Sequence, residues 1–355
     1  MTSKTIRSTT NPATYDTPDS VRDAYDVVVI GGGAAGLSGA LMLGRSRRTV
    51  LVVDAGEPRN APAEGAHALL GLDGIRPTDL LARGRAEVRG YGGHVVAGAV
   101  TGVSGHEGSF RVALADGRTV GARRVLAATG LVDELPEVPG LRERWGKDVV
   151  HCPYCHGWEV RDQAIGVLWT GPFSVHQALL FRQLSDDVIL FTHTGPVPTG
   201  EEAEQLAARG VRVVTGTVAA VETAVETAAE TATTGSGADG AGRDRLSGVR
   251  LADGTVVPRQ AVAVATRMVA RAEFLAPLGL LPVAHPSGVA EHIPADPTGL
   301  TSVPGVWVAG NITDPTAQVS HSVAAGATAG ARINADLVAA EARAAVAARA
   351  SSVAL

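Results

Sequence analysis

The residues best suited to chemistry lie in one stretch, His151-Cys152-Pro153-Tyr154-Cys155-His156-Gly157-Trp158-Glu159. It holds both cysteines of the 355-residue chain. Two thiols spaced C-x-x-C form either a redox pair or half of a metal site. With no further thiol, a four-thiolate zinc site is excluded. Four Cys and His ligands within one hexapeptide are also poorly placed to surround a tetrahedral ion. The stretch therefore reads as a redox-active dithiol with no metal. His151 and His156 flank it. Imidazole titrates near neutral pH and can take a thiol proton. The thiolate is the nucleophile, so a neighbouring base raises the exchange rate.

Such a pair needs an electron carrier, and the preceding segment indicates one. Asp26 to Ile30 is a β-branched apolar run, the pattern of a buried parallel strand. It leads into Gly31-Gly32-Gly33-Ala34-Ala35-Gly36, a helical stretch from Leu37 to Arg45, and a strand from Thr49 to Val53 closed by Asp54. G-x-G-x-x-G in strand–turn–helix context, with an acid ending the second strand, is a dinucleotide fingerprint. Gly31, Gly33 and Gly36 let the backbone approach a pyrophosphate at a helix N-terminus, where N–H groups and the dipole favour an anion. Asp54 is placed to accept from the adenosine ribose hydroxyls.

A second βαβ pattern follows the cysteines: a strand over 164–169, a helix over 174–184 and a strand over 187–192. Its turn, Trp169-Thr170-Gly171-Pro172-Phe173-Ser174, keeps one glycine, and Trp169 stands at the close-approach position. The next strand ends Thr192-His193-Thr194, without an arginine for a 2′-phosphate. This unit has the fold of a nicotinamide site and lacks its chemistry.

The remaining pattern predicts a loop over 57–77 carrying Arg59, Asn60 and His67, then a helix over 78–90 and a strand over 93–100. A hairpin joins 110–114 to 118–120 around Asp116-Gly117, and 124–128 is a separate strand. Further strands fall at 211–214, 218–221 and 261–265, a helix at 201–209, and a hairpin at 249–257. An Ala-rich helix, with room for a break, runs from about 318 to 348.

Composition narrows the class. Hydrophobic residues make up 45% and charged residues 19%, with a net charge of -5, so the chain reads as globular, soluble and cytoplasmic. No Lys/Arg block marks it for nucleic acid or an anionic membrane. The uncharged run from Val27 to Gly44 is broken by glycines and is neither a membrane span nor a signal segment. Residues 1–23 read as a disordered leader. An insertion at 222–246, nearly all Ala, Thr, Glu and Gly over much of its length, reads as a flexible hairpin extension.

The leading G-x-G-x-x-G, Ala128-Thr129-Gly130, the C-x-x-C and the late Ser302-Val303-Pro304-Gly305-Val306-Trp307-Val308-Ala309-Gly310-Asn311 together resemble a thioredoxin-reductase-type flavoprotein over roughly residues 24–345. The resemblance implies an α/β fold of two Rossmann-like three-layer domains. The FAD-binding domain, 24–145 and 266–345, is split by an inserted degenerate NAD(P)-like domain, 146–265, that carries the C-x-x-C. It implies FAD as cofactor and a homodimer. By the same resemblance Gly31, Gly33, Ala35, Gly36, Asp54, Ala55, Asn60, Val96, Thr129, Gly130, Gly310, Asn311, Gln318 and Val319 form the FAD-contact set. Tyr154 and Trp158 are expected to pack rather than meet substrate.

Three departures matter. Asn311 stands where the family usually has Asp, His156 stands where the reductases keep an acid, and the nicotinamide fingerprint is missing. His-Cys-Pro-Tyr-Cys-His-Gly resembles the branch of dithiol oxidases that close disulfides in gliotoxin-, holomycin- and depsipeptide-like natural products. That branch implies FAD, a small-molecule dithiol and molecular oxygen, with hydrogen peroxide as product and a place in antibiotic biosynthesis or self-protection. Within it Cys152 is the exchange cysteine, Cys155 the flavin-side cysteine, and His151 or His156 the base. The competing readings are an NAD(P)H-dependent disulfide reductase, a ferredoxin-dependent one, and a non-enzymatic flavin redox sensor.

Overall fold

The computed structural model describes residues 21–225 and 244–353. Residues 1–20 of the expected leader and 226–243 of the expected insertion lie outside that range.

β1 (Ala24–Ile30) has Val27, Val28 and Val29 fully buried, so both its faces are covered. That suits a strand flanked in parallel on both sides. Its neighbours are β2 (Val50–Asp54) and β6 (Thr119–Ala127). With β3 (His94–Ala97), β4 (Val100–His106) and β5 (Ser109–Leu114), the strand order is β3-β2-β1-β6-β5-β4. β19 (Val306–Val308), far along the chain, returns to pair with the second half of β6. Helices α1 (Ala34–Arg45), α2 (Pro77–Gly90) and α6 (Val319–Val353) accompany this sheet.

Between those parts the chain builds a second, all-parallel sheet. Its strands are β8 (Val149–Val150), β9 (Ile165–Leu168), β10 (Val188–Phe191), β11 (Arg212–Val214) and β15 (Ala261–Val264), in the order β11-β10-β9-β15-β8. The short α3 (Pro153–His156) carries the dithiol, and α4 (Ser174–Phe181) and α5 (Gly200–Ala208) cross between strands. A three-stranded antiparallel layer of β12 (Val218–Val225), β13 (Asp244–Leu251) and β14 (Val256–Pro258) stands beside it. The chain passes from the first sheet to the second through β7 (Leu131–Glu134) and back through β16 (Arg267–Ala270), which pair antiparallel. A small hairpin, β17 (Val283–Ala284) with β18 (Glu291–His292), follows the return.

The structure departs from the sequence reading in four places. The single strand expected over 93–100 is two: β3 pairs parallel with β2, and β4 pairs antiparallel with β5, with the turn at Gly98 and Ala99 between them. The two strands expected at 118–120 and 124–128 are one, because Arg124 is buried in mid-strand and neutralised by Asp336 and Glu107. β12 and β13 carry paired strand into both ends of the expected insertion, through Glu222↔Gly248 to Val225↔Asp244. The last helix is continuous from Val319 to Val353.

α1 and α6 touch backbone to backbone. A Cβ on Gly326 would lie 2.0 Å from the carbonyl oxygen of Ala35, and one on Gly330 would lie 2.6 Å from that of Gly39. Ser38 Oγ donates to the Val323 carbonyl at 2.7 Å. Small residues in α6 are thus a packing requirement. We predict that Gly326→Ala destabilises the fold by about 1–3 kcal/mol, the usual cost of overpacking. Denaturant unfolding checks this, and an unchanged midpoint would contradict the close contact.

Candidate active site

One cavity of about 940 Å³ runs from the glycine turn after β1 to the two cysteines. Every glycine of the fingerprint has a visible task at its cradle end. Gly31 has φ +102°, and a Cβ there would meet the Ala128 carbonyl oxygen at 2.5 Å. A Cβ on Gly36 would strike the Gly31 carbonyl oxygen. Gly33 has no protein atom within 4 Å of its Cβ position and lies on the cavity wall, so only a ligand bounds it. No side chain caps the N-terminus of α1, which leaves its first N–H groups for an anion. Asp54 Oδ1 accepts from the N–H groups of Gly32 and Gly56, both at 3.2 Å, which fixes its carboxylate at the end of β2.

The other expected cofactor contacts distribute as follows. Ala35, Ala55, Asn60, Thr129, Gly130, Gly310, Asn311, Gln318 and Val319 all line the cavity. Thr129 Oγ1 is held by the Arg271 carbonyl at 2.6 Å, leaving its backbone toward the cavity. Asn311 spends its amide N–H groups on the carbonyls of Asp314, Pro315 and Ala317, and so shapes the loop that feeds α6. Val96 is different. It packs in the apolar core beside Val53, and the cavity edge there is formed by Gly98, Ala99 and Val100.

At the other end of the cavity the sulfurs of Cys155 and Cys152 lie 2.9 Å apart, with Cys155 donating. That hydrogen bond lowers the Cys152 thiol to about 7; burial opposes it, while the N–H groups of Tyr154 and Cys155 and the charge of Arg59 assist. Cys155 is pushed up, first by donating to Cys152, then by burial and by the neighbouring thiolate. The pair therefore shares one proton unequally. His151 is held by the Val264 carbonyl at Nδ1, 3.0 Å, and burial lowers its basicity. Burial also lowers His156, although Glu159 pulls the other way. His156 Nε2 is enclosed and without a hydrogen-bond partner. Both imidazoles are thus neutral at pH 7 and able to accept a proton.

Several contributors carried no assigned role in the sequence reading. Arg59 forks onto Asp133 with Nε–Oδ2 2.6 Å and Nη2–Oδ1 2.8 Å, and the Asp133 side chain is 6% exposed. Burial would raise the Asp133 carboxyl, but the bonds from Arg59 and Thr266 hold it below the usual range. His67 bridges toward Glu159 at 3.3 Å. Gln177 of α4 donates to the His151 carbonyl at 2.7 Å. Tyr154 and Trp158, expected to pack, are 67% and 65% exposed, and Arg161 stacks over the Trp158 ring at 4.1 Å.

The second βα turn is built differently from the first. The N–H groups of Thr170 and Gly171 donate to Ser174 Oγ at 3.0 and 3.3 Å, and Thr170 Oγ1 donates to the Ala265 carbonyl. Trp169 is buried, and its ring lies so close to Gly195 that a Cβ there would fall 2.0 Å from it. Beyond β10, His193 Nδ1 accepts from the Val218 N–H at 3.0 Å.

An open pyrophosphate cradle joined by one cavity to a C-x-x-C dithiol defines a flavin-dependent disulfide oxidoreductase. The sequence matches the pyridine nucleotide-disulphide oxidoreductase family over residues 25–329, and the chain belongs to that family. FAD is its cofactor, and the glycine cradle fits it. The chain is 31% identical over 333 residues to thioredoxin reductase tcpT of Claviceps purpurea, covering 90% of this chain and 96% of that one. Among solved structures, HlmI aligns with a TM-score of 0.83 at 45% identity, over 95% of this chain and 100% of the other. An oxidoreductase from Agrobacterium tumefaciens aligns with a TM-score of 0.78 at 35% identity, over 89% and 99% of the two chains.

The sulfur polarity has a direct test. In the reduced protein, alkylation of Cys152 by iodoacetamide should rise with pH through a midpoint near 7. A midpoint at the ordinary cysteine value of about 8.5 would remove the asymmetry.

Proposed function

We propose that this protein oxidises a small-molecule dithiol to its intramolecular disulfide, with dioxygen as the electron acceptor. The single observation that carries the reading is the contrast between the two βα turns. Around α1 the anion-facing N–H groups and Gly33 open onto the cavity. In the turn before α4 the N–H groups of Thr170 and Gly171 are taken by Ser174 Oγ and the Trp169 ring packs against Gly195, although α4 itself, like α1, carries no side-chain cap. Electrons then have no evident entry through a nicotinamide in the second unit, which leaves the dithiol as their way in. In this reading residues 24–145 with 266–345 hold FAD, and residues 146–265 present the cysteines to it.

The steps follow from the asymmetry of the pair. Neutral His156, or His151, takes the proton of one substrate thiol. The substrate thiolate attacks Cys152 Sγ of the disulfide form, the Cys152–Cys155 bond breaks, and Cys155 leaves and is protonated. The second substrate thiol, its proton taken by the same imidazole, then attacks its partner sulfur in the mixed disulfide. Cys152 leaves as the thiolate that the Cys155 S–H and two backbone N–H groups stabilise. A low-pKa leaving thiol speeds that step. FAD held in the glycine cradle would supply the two-electron acceptor that restores the protein disulfide, and dioxygen would take up the pair with two protons as hydrogen peroxide. The exposed Tyr154 and half-exposed Phe173 give the cavity an aromatic wall for a compact apolar substrate. A soluble cytoplasmic homodimer acting in natural-product biosynthesis completes the reading.

Two experiments test it. Oxygen uptake with a panel of small dithiols should yield one peroxide per disulfide formed, without NADPH. Rapid anaerobic bleaching of the flavin by NADPH would instead establish a reductase. Separately, Cys155→Ser should retain bound FAD yet leave the flavin oxidised when dithiol is added anaerobically. Reduction at the wild-type rate in that variant would break the proposed electron path.

A further inference from the structure

The loop after β2 places one cation where three parts of the chain meet. Arg59 lies on it, and its Nε and Nη2 fork onto Asp133 of β7. Thr266, the residue before β16, donates to the same carboxylate at 2.6 Å. β7 and β16 are the outgoing and returning crossings between the two sheets. The third guanidinium nitrogen, Nη1, lies 3.4 Å from Asn311 Oδ1, at the head of the loop feeding α6. A single side chain thus ties the cofactor loop, both crossings and the approach to α6. Thr266 is 2% exposed and the Asp133 side chain 6%, so this is not a solvated surface pair of little consequence. Removing one partner of a buried fork is strongly felt.

We propose that Arg59 is a positioning residue: with Asp133 it holds the dithiol-bearing unit against the flavin cradle and supplies a fixed positive charge on the sulfurs' side of the cavity. This rests on Cys152 and Cys155 being the working pair. The titratable and charged groups around them are Cys155, His151, His156 and Glu159 on their own segment, Arg59 and His67 on the cofactor loop, Asp133 on β7 and His176 on α4. Of these, Arg59 alone is a permanent cation, and Asp133 is its partner of opposite sign. Their effects on the thiolate must therefore oppose each other, whereas their effects on the crossings must agree.

The test uses reduced FAD-loaded protein and two readouts. One is the pH profile of Cys152 alkylation, followed by mass spectrometry. The other is amide hydrogen exchange in β7 and β16. Arg59→Gln should move the alkylation midpoint upward, by roughly half a pH unit or about twofold in rate at pH 7, and quicken exchange in both crossings by about tenfold. Asp133→Asn should quicken exchange likewise but move the midpoint downward. Arg59→Lys keeps the charge and loses the planar fork, so its midpoint should match wild type while exchange stays fast. Midpoints that shift the same way in Arg59→Gln and Asp133→Asn, or exchange unchanged in all three variants, would overturn the proposal. Neither readout depends on dioxygen or on any substrate. Correct shifts without dithiol turnover would therefore refute the oxidase reading and leave this one standing.

Discussion

α1 and α6 meet with no side chains between them at Gly326 and Gly330. Close contact of this kind is unforgiving, because interiors are packed as tightly as crystals. Its value lies in what it fixes. Gly33, at the N-terminus of α1, and Gln318 and Val319, at the start of α6, all lie on the wall of one cavity. A helix N-terminus is a fixed source of partial positive charge. Two such ends held in register face the same cavity, as an extended anionic cofactor would require. The glycines and alanines that look like low-information sequence in α6 are the condition for that alignment. β19 adds a second restraint by returning the chain to β6 at Ala127, just ahead of Ala128-Thr129-Gly130.

The two βα turns place the same backbone groups at the same topological position with opposite outcomes. An N–H at the mouth of a parallel sheet needs a partner, whether ligand, water or side chain. At Gly33 the protein provides none, and the site stays competent for an anion. At Thr170 and Gly171, Ser174 provides one internally. A pyrophosphate would have to displace a formed hydrogen bond as well as the Trp169 ring. The parallel sheet beneath is intact, since β9 still pairs with both β10 and β15. The parallel scaffold is complete, and Trp169 packs at its mouth.

How far the sequence could be read depended on whether a feature was local. Strand, turn and helix around Gly31–Gly36 follow from neighbours in the chain, as does the failed fingerprint at Trp169. The C-x-x-C was legible because it is self-contained. β6 was misread because Arg123 and Arg124 look like a break, and their partners, Asp26, Glu341, Asp336 and Glu107, are mostly distant. The Arg59–Asp133 fork spans 74 positions and leaves no local signature. Val96 was expected by resemblance to touch the cofactor; side-chain alternation along β3 turns its side chain into the core, which leaves only its backbone for such a contact. Tyr154, within the short α3, and Trp158, just after it, follow the same lesson: local sequence there says nothing about which side solvent takes.

The dithiol shows why direction of electron flow cannot be read from the cysteines alone. A thiolate stabilised at Cys152 is a good nucleophile toward a disulfide and an equally good leaving group from one. By microscopic reversibility the same hydrogen bond from Cys155 and the same two N–H groups serve both directions. What breaks the symmetry is supply: whichever carrier can dock decides which half of the cycle is driven. His156 stands beside the pair as an enclosed imidazole whose basicity burial lowers, and in the proposed function it would add a second bias. A carboxylic acid in such a place delivers a proton to a departing group, whereas a neutral imidazole first removes one from an arriving thiol. Under the proposed function, the Trp169-packed turn and an imidazole at His156 would act in the same sense.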